Sequence, residues 1–495
     1  MSSNSVTPEF AEFINALRSP DNAVRDNVID QFFNIISSTT DSSVKSFVVV
    51  ILRKLHRKLG ASSMTRRKAK VLLPLLFSLV LSFLPQLFQV ENDGRVRHNL
   101  CDLISQVSSL EPEWPALFPF VLSACSQESE VRVEGLYLLG ELSESNESLV
   151  AEHITEIVSI LSGSLQSSNL AFQVAAARTT MKIMTEMEVE NVVSTFVSAL
   201  PAVINTVQLV LNAQDEDSLQ SLLEDLVNCA RWEQRGPVIC DFARQLVGPI
   251  VEMCLAIAGN ESFFTGTRSL AANIVSSIAE ENGGFFRKNA GAITKYLEIA
   301  VQMISDISDD ASWEQGVFGD EDELSEDNSS PHVAGIMMVA NLADALHAAA
   351  YKPATQLMTQ CSRSENWKIR RATYVLICHI ADGCKKQVEA NLPWITTMML
   401  NGLNDGRAHP RVVFVALQAI AYVSVALPVT FQKKCGAQVL QSVLQLVQKN
   451  PCLRVQAIAA SCVGQFCSCE MISKKIFKNV LEPLTQWMYS LCSVK

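Results

Sequence analysis

Apolar residues recur every three to four positions along nearly the whole chain, and no stretch alternates apolar and polar residues as a strand would. The apolar runs are interrupted by short polar clusters, such as residues 404–406 and 449–451, which are rich in turn-forming and helix-capping residues. These interruptions divide the chain into pairs of an outer and an inner helix, for example 115–126 with 129–143, 388–403 with 409–427, and 435–448 with 451–467. The pattern therefore predicts an all-α chain of roughly eleven helix pairs.

A valine or isoleucine beside an arginine recurs at the start of the apolar helical runs. The arginines concerned are Arg25, Arg97, Arg132, Arg370, Arg411 and Arg454. The last three are 41 and 43 residues apart, which is the repeat length of HEAT and armadillo helix pairs. We therefore predict a HEAT/armadillo-type α-solenoid, a right-handed superhelix of antiparallel helix pairs. Such proteins use a long surface to bind other macromolecules.

Three regions follow from this pattern and from one change of composition. Residues 1–305 are predicted to form N-terminal HEAT repeats, residues 306–330 an acidic insertion loop, and residues 331–495 further HEAT repeats. The last repeat is predicted to be incomplete, because the apolar run at 472–488 makes one helix without a partner after it. The N-terminus lacks the apolar stretch of a secretory signal, so none is expected.

The net charge of the chain limits the kinds of macromolecule that it is expected to bind. The chain contains 40 Lys and Arg against 51 Asp and Glu, a net charge of −11. Nucleic-acid binding requires basic side chains that neutralise phosphates, so no direct nucleic-acid partner is expected. An acidic surface favours basic partners, although it also serves solubility. The 14 cysteines are scattered singly within apolar runs, which is typical of small reduced core residues.

The sequence carries no motif for catalysis or cofactor binding. Strings typical of nucleotide-binding loops, zinc proteases and serine hydrolases do not occur in it. One polar group could be drawn as a metal site: Cys378, His379, Asp382 and Cys384. Because Cys384 follows Gly383, a residue that ends helices, we interpret the group as a structural helix end. We therefore expect that the protein is not an enzyme and that it binds no cofactor and no metal ion.

One segment resembles a membrane span. Residues 71–90 contain no charged residue and are long enough to cross a bilayer as a helix. Two prolines and two glutamines interrupt the segment, and it lies in phase with the helix pairs. A buried outer helix of a solenoid is also apolar nearly all round. We therefore favour a solenoid helix and keep a membrane anchor as the alternative.

The strongest change of composition is the segment 306–330, which contains no lysine or arginine. Its acidic and tryptophan residues are Asp306, Asp309, Asp310, Trp313, Glu314, Asp320, Glu321, Asp322, Glu323, Glu326 and Asp327. Charge repulsion favours an extended, solvated segment. Two interpretations stay open: a flexible insertion, or an acidic arm that gathers or competes for a basic ligand. Trp313 and Phe318 are unusual in a plain linker and favour binding.

A basic patch lies near the N-terminus. It comprises Arg53, Lys54, Arg57, Lys58, Arg66, Arg67, Lys68 and Lys70. It is either a solvated helix end or a docking surface for an acidic or anionic partner.

Several motifs together resemble the importin-beta superfamily, specifically the N-terminal half of a diverged karyopherin beta-3 (Ran-binding) nuclear import receptor. The acidic segment with Trp313 is followed by SENWKIRRATYVLICHIADGC at 364–384, HPRV at 409–412, FQKKC at 431–435 and LRVQAIAA at 453–460. SPDNAVRDNV at 19–28 fits the first repeat of the family more loosely. Members are roughly twice this length, so the resemblance covers an N-terminal half.

The resemblance implies a receptor that binds basic cargo proteins on inner helices, contacts phenylalanine-glycine nucleoporins, and releases cargo when the Ran GTPase binds in its GTP form. It implies shuttling between cytoplasm and nucleus through nuclear pores, with Ran contacting the N-terminal repeats. The alternative function is a non-transport HEAT scaffold for protein assembly.

The resemblance also implies cargo-binding positions. Trp367 matches the tryptophan of the family, Asp382 an acidic inner-helix position, and Gln418 and Gln465 two amide positions. Aromatic faces and carboxylates or amides would hold the stems and ammonium groups of lysines. The chain departs from the family where Ala340 and Ala426 replace acidic residues and Tyr422 replaces a glutamine.

Overall fold

A computed structural model describes residues 84–86, 88–89, 91–110, 112–187, 196–229, 237–309, 313, 330–404, 409–450 and 452–468, with five further positions between 481 and 489. All regular elements in these ranges are helices. The helices form two compact units, Met1–Asp225 and Leu226–Lys495. The predicted all-α class is therefore confirmed for this part of the chain. The predicted regions 1–305, 306–330 and 331–495 stay predictions.

The described part of the first unit consists of paired helices. They are α1 Gly94–Leu110, α2 Leu117–Cys125, α3 Val131–Ser145, α4 Glu147–Glu152, α5 Ile154–Leu165, α6 Leu170–Glu186, a 3₁₀ turn Val197–Ala199 and α7 Leu200–Ala213, and α8 Glu216–Cys229 crosses the boundary between the units. We keep the words outer and inner for the first and second helix of a pair. Outer helices α2 and α5 pack on inner helices α3 and α6, and inner helices α1, α3 and α6 pack side by side.

The described part of the second unit repeats this arrangement. Its helices are α9 Pro237–Ala258, α10 Thr265–Glu281, α11 Gly283–Lys288, α12 Ala290–Ile304, α13 Pro331–Leu346, α14 Ala348–Cys361, α15 Trp367–Gly383, α16 Lys385–Ala390, α17 Leu392–Asn404, α18 Pro410–Ala426, α19 Pro428–Phe431, a π turn Gln432–Gly436, α20 Ala437–Lys449 and α21 Leu453–Ser468. Outer helices α9, α12, α14, α17 and α20 pack on inner helices α10, α13, α15, α18 and α21. The acidic segment connects α12 to α13, which pack as one pair.

Polar side chains cap two inner helices of the second unit. The side chain of Asn366 accepts from the backbone N–H of Lys368 at the start of α15, at 3.0 Å. The His409 ring accepts from the N–H of Arg411 at the start of α18, at 3.3 Å. These side chains satisfy N–H groups that have no partner within their own helix.

The predicted helix pairs are found close to their predicted places. The ranges 115–126 with 129–143 correspond to α2 and α3, and 435–448 with 451–467 to α20 and α21. The predicted start of an outer helix at 388 is wrong, because α16 ends at Ala390 and α17 begins at Leu392. Pro393, in the first turn of α17, favours a new helix start there.

Ten cysteines in the described part of the chain are buried and form no disulfide. Burial raises the pKa of the Cys378 thiol to about 12. The Cys384 thiol donates to the carbonyl oxygen of His347 at 2.9 Å, just beyond the predicted helix end at Gly383. The thiols described here thus act as small core residues, as predicted.

No single helix among the described residues is long and apolar enough to span a membrane. One bent pair, Pro410–Ala426 with Pro428–Val447, meets the length and composition criteria, with its halves inclined by 115°. Most of the candidate span 71–90 lies outside the described residues, as does most of the predicted last helix 472–488.

Neighbouring inner helices approach most closely where small residues meet. A Cβ atom added at Gly383, the last residue of α15, would lie 2.5 Å from the backbone carbonyl carbon of Ala343 in α13. Backbone atoms cannot give way as the end of a flexible side chain can. Gly383 therefore permits the packing of α13 against α15.

We predict that Gly383→Ala destabilises the protein by about 1–3 kcal/mol, because the new methyl group forces α13 and α15 apart. Gly163→Ala is the control: nothing lies within 4 Å of an added Cβ there, within α5. The control should be neutral or stabilise by up to about 1 kcal/mol. Urea unfolding followed by circular dichroism measures both changes, and equal effects of the two substitutions would contradict the packing argument.

Candidate partner-binding surface

Buried arginines lie at the N-terminal ends of the inner helices of the second unit. Their guanidinium groups donate to backbone carbonyl oxygens: Arg268 to Ala258 at 3.0 Å, Arg371 to Ile304 at 3.3 Å, and Arg411 to Ser308 at 2.8 Å. Ala258 and Ile304 are the last residues of outer helices, whose final carbonyls lack partners within the helix and carry partial negative charge. The buried cations are thereby stabilised, and each inner helix is tied to a preceding segment.

Residues 305–309, which we name the strap, run across the N-terminal ends of these inner helices. The Asp306 carboxylate forms an ion pair with Arg268 of α10 at 2.5 Å. The carbonyl oxygen of Ile307 accepts from the Lys368 ammonium of α15 at 2.7 Å, and that of Ser308 accepts from Arg411 of α18. The strap thus connects three inner helices through charged and polar contacts.

Trp313 is buried just beyond the strap, with only 2% of its surface exposed. Two guanidinium groups lie near its ring, that of Arg411 at 5.2 Å and that of Arg454 at 4.6 Å from the ring centroid. The Phe414 ring meets it edge-on at 5.2 Å, and the Cys452 thiol approaches its carbonyl oxygen at 3.6 Å. Cation–π attraction and burial of the ring hold Trp313 in this position.

The acidic segment therefore departs from the predicted solvated loop at its start. The expectation of a solvated segment is wrong for Ile307 and Trp313, because both side chains are buried against inner helices. Asp306 and Asp309 are exposed, yet each carboxylate faces a cation of the same chain, Arg268 and Lys368 respectively. The other acidic residues predicted for this loop lie outside the described residues, as does the whole basic patch at 53–70.

Trp367, predicted to bind cargo, is half-buried at the first turn of α15. The His409 ring stacks on it, with centroids 3.8 Å apart and planes inclined by 7°. One aromatic face is therefore covered in this conformation. The Lys368 ammonium lies 5.8 Å from the ring centroid. A ligand that uses the covered face would first have to move His409.

The other predicted cargo-binding residues lie on three successive inner helices. Asp382 is exposed near the end of α15 and pairs with Lys385 at 2.8 Å; Gln418 is half-buried on α18, and Gln465 is exposed on α21. Trp367 and Asp382 are 15 residues apart on one helix, a distance of about 22 Å along its axis. The structure thus does not bring these two side chains together, and a ligand that contacts both must be extended.

An apolar patch lies near the C-terminal end of α18, where the resemblance implied a glutamine at 422 and an acidic residue at 426. Tyr422 is 45% exposed and Val425 66% exposed, and Ala426 follows them. The Tyr422 ring lies 5.9 Å from that of His379 on α15. Burial lowers the pKa of His379 to about 4, and nearby Asp382 opposes this shift. His379 is therefore neutral at pH 7.

Inner helices of the first unit carry a charged ladder that the sequence interpretation missed. On α1 and α3 the His98 ring stacks on Tyr137 at 4.0 Å and faces Glu134 at 3.3 Å, and the Tyr137 hydroxyl donates to Asp102 at 2.9 Å. The hydrogen bond to Glu134 raises the pKa of His98. Lys182 of α6 pairs with Glu141, and Arg178 pairs with Asp225 at 2.7 Å. The spacing of Glu134, Tyr137 and Glu141 by three and four residues was a signal for this face.

Comparison with known proteins bears on the fold and the family. A family model described as "IPO5-like, TPR repeats" matches residues 92–231 and 336–487. Importin subunit beta-3 of Saccharomyces cerevisiae (strain ATCC 204508 / S288c) is 21% identical over 504 residues, which cover 96% of this chain and 44% of that protein.

Solved structures of Kap121p show the same fold. The structure of Kap121p has a TM-score of 0.79 and 19% identity, covering all of this chain and 48% of the other. The structure of Kap121p bound to Pho4p has a TM-score of 0.79 and 19% identity, and the match covers 99% of this chain and 48% of the other. The structure of Kap121p bound to RanGTP has a TM-score of 0.78 and 18% identity, and the match covers 100% of this chain and 47% of the other. The predicted α-solenoid is thereby confirmed. The chain spans about half the length of these relatives.

We predict that His379 makes stability depend on pH. Its folded-state pKa of about 4 lies below the ordinary value of 6.5, so the unfolded chain binds a proton that the folded chain does not. The free energy of unfolding is therefore highest above pH 6.5, where His379 is neutral in both states. It falls by roughly 1–3 kcal/mol as the pH drops towards 4. Thermal unfolding between pH 4 and 7 should show a shallower pH dependence for His379→Phe. Parallel profiles for the variant and the unmodified chain would contradict the assignment.

Proposed function

The chain belongs to the IPO5-like family of TPR-repeat proteins, and from that premise we propose that it is a nuclear transport receptor. In this proposal it binds basic cargo proteins on its inner helices and releases them when Ran binds in its GTP form. The observation that carries the proposal is the match of the family model to both units, together with relatives named importin subunit beta-3 and Kap121p. It acts by binding and is not an enzyme, and it moves between cytoplasm and nucleus.

Surface charge supports a basic cargo. On the inner helices of the second unit Asp382 is exposed, and on those of the first unit Asp102 and Glu141 lie beside Tyr137, while Glu134 faces His98. Carboxylates beside an aromatic ring suit lysine and arginine side chains, whose stems pack on the ring while their charges meet the carboxylates. The long separation of Trp367 from Asp382 favours an extended cargo segment.

Complexes of a related protein support the choice of partners. Kap121p has been crystallised bound to RanGTP, to Pho4p and Ste12p, and to Nup53p. We propose the corresponding classes for this chain: the GTP form of Ran, basic cargo, and nucleoporins with phenylalanine-glycine repeats. The basic patch at 53–70 and the acidic segment stay candidate regions for these partners.

A second candidate is a HEAT scaffold that assembles other proteins without transport. The observations that favour it are the alanines at 340 and 426, the apolar patch around Tyr422, and the His409 ring over Trp367. These features weaken the binding of lysine-rich signals while leaving the solenoid unchanged. A scaffold needs no partner whose binding depends on GTP.

Binding to Ran separates the two candidates. We expect Ran locked in its GTP form to bind the chain at least about tenfold more tightly than Ran loaded with GDP, a difference of about 1.4 kcal/mol. Isothermal titration calorimetry measures both affinities. Equal affinity for the two forms, or binding of neither, would reject the receptor and leave the scaffold.

Reversal of one charge tests the cargo surface. Asp382→Lys should weaken binding of a fluorescent lysine-rich peptide about three- to tenfold, because an attractive charge becomes repulsive at an exposed site. Glu298→Lys makes the same change at an exposed position of outer helix α12 and is the matched control. Fluorescence anisotropy at 50 and 200 mM salt measures both variants. A loss of the same size in the two would show that net charge, not position, governs binding.

A further inference from the structure

We propose that Arg411, Phe414, Cys452 and Arg454 form a binding pocket for an aromatic side chain carried on an acidic segment, and that Trp313 is its resident occupant. The pocket lies between α18 and α21 in the second unit. This inference does not depend on transport. It concerns a peptide-binding site that the chain fills from its own sequence.

The pocket has the composition of a receptor site for a π-system. Two guanidinium groups lie at 5.2 and 4.6 Å from the centroid of the tryptophan ring, and the Phe414 ring closes one side with its plane at 85° to the indole. Arginine stacks on aromatic faces and is more weakly hydrated than lysine, so two of them bind a ring without a large desolvation cost. Because Arg411 and Arg454 are themselves buried, solvent competes little with these contacts.

Trp313 is held mainly through its ring. Its indole Nε1 atom is buried and has no hydrogen-bond partner among the described atoms. The Cys452 thiol approaches its backbone carbonyl oxygen at 3.6 Å, which is a weak interaction. Another aromatic side chain could therefore take the same place without losing a specific hydrogen bond.

Charge around the pocket selects the segment that carries the ring. Arg411 and Arg454 lie at the pocket, and Lys368 lies along the strap that leads to it, where it meets Asp309 at 3.7 Å. In the sequence the occupant is flanked by Asp309 and Asp310 on one side and by Glu314 on the other. Basic walls and acidic flanks are complementary, so the ligand class is an aromatic residue, preferably tryptophan, within an acidic peptide.

Occupancy of the pocket joins two helix pairs that the chain would otherwise connect only by ordinary packing. Arg411 and Phe414 belong to α18, whereas Arg454 belongs to α21 and Cys452 directly precedes it. A partner segment that enters the pocket must displace Trp313. Competition between the resident and an incoming segment is the behaviour that separates a binding pocket from a plain core contact.

The test empties the pocket and supplies its ligand in trans. A labelled peptide with the sequence of residues 305–320 is titrated into the Trp313→Ala variant and into the unmodified chain, with fluorescence anisotropy as the readout. We expect the variant to bind the peptide at least about tenfold more tightly, because its pocket is open. The same peptide carrying Trp313→Ala is the matched control and should bind both proteins equally weakly.

A second substitution places the peptide in the pocket. Arg454→Met in the Trp313→Ala background should weaken peptide binding at least about threefold, since one of the two stacking cations is gone. Equal affinity of the unmodified chain and the Trp313→Ala variant would overturn the proposal. So would the absence of saturable binding to the folded variant at about 1 mM peptide. Either result would leave Trp313 as a core residue only.

Trp313→Phe keeps the proposal testable if the alanine variant does not fold. Its smaller ring fills the pocket less completely and removes the buried N–H donor, so the fold should persist. The tryptophan peptide should then bind Trp313→Phe at least about threefold more tightly than the unmodified chain. Equal affinity of these two proteins would likewise overturn the proposal.

Discussion

The buried guanidinium groups at the N-terminal ends of the inner helices constrain the rest of the second unit. A buried cation is tolerated only where oxygen atoms meet it, and the last carbonyls of an outer helix supply such atoms because they have no partner within that helix. Arg268 and Arg371 use this solution directly, on Ala258 and Ile304. The ends of outer helices and the starts of inner helices must therefore come together, which fixes how one pair follows another.

The strap extends the same requirement beyond nearest neighbours. Helix pairs in a solenoid normally contact only the adjacent pairs, so their coupling is local. Here the carbonyl of Ser308, next to the end of α12, is the acceptor for Arg411, and Trp313 lies against Arg454. One short stretch of chain thus reaches the starts of α15, α18 and α21. The composition of the acidic segment is that of a linker, yet its first residues are part of the packed structure. Their backbone carbonyl oxygens accept hydrogen bonds from cationic side chains of the inner helices.

The sequence was sufficient for the fold and insufficient for the site. The apolar period of 3.6 residues and the spacing of Arg370, Arg411 and Arg454 predicted the helix pairs. Both patterns arise because equivalent positions are buried in each helix pair. Arg268 escaped the pattern because a threonine, not a valine, precedes it. The burial of Trp313 could not be predicted, since its neighbours in sequence are acidic while its neighbours in space come from residues 411–454. The His409 ring over Trp367 is likewise a contact between residues that are distant in sequence.

The charge and exposure of side chains at the two ends of the inner helices also determine which ligands can bind there. Near the C-terminal ends of α15 and α18, Asp382 lies close to the neutral His379, and the side chains of Tyr422 and Val425 are exposed. Such a surface favours a segment that combines basic residues with an apolar neighbour over a run of lysines alone, because Tyr422 and Val425 offer no charge to an ammonium group. At the opposite, N-terminal ends of these helices, cations and the strap create a preference for aromatic and acidic groups. The two ends of the inner helices therefore differ in the chemistry they select, and one extended partner could satisfy both only if its charge changes sign along its length.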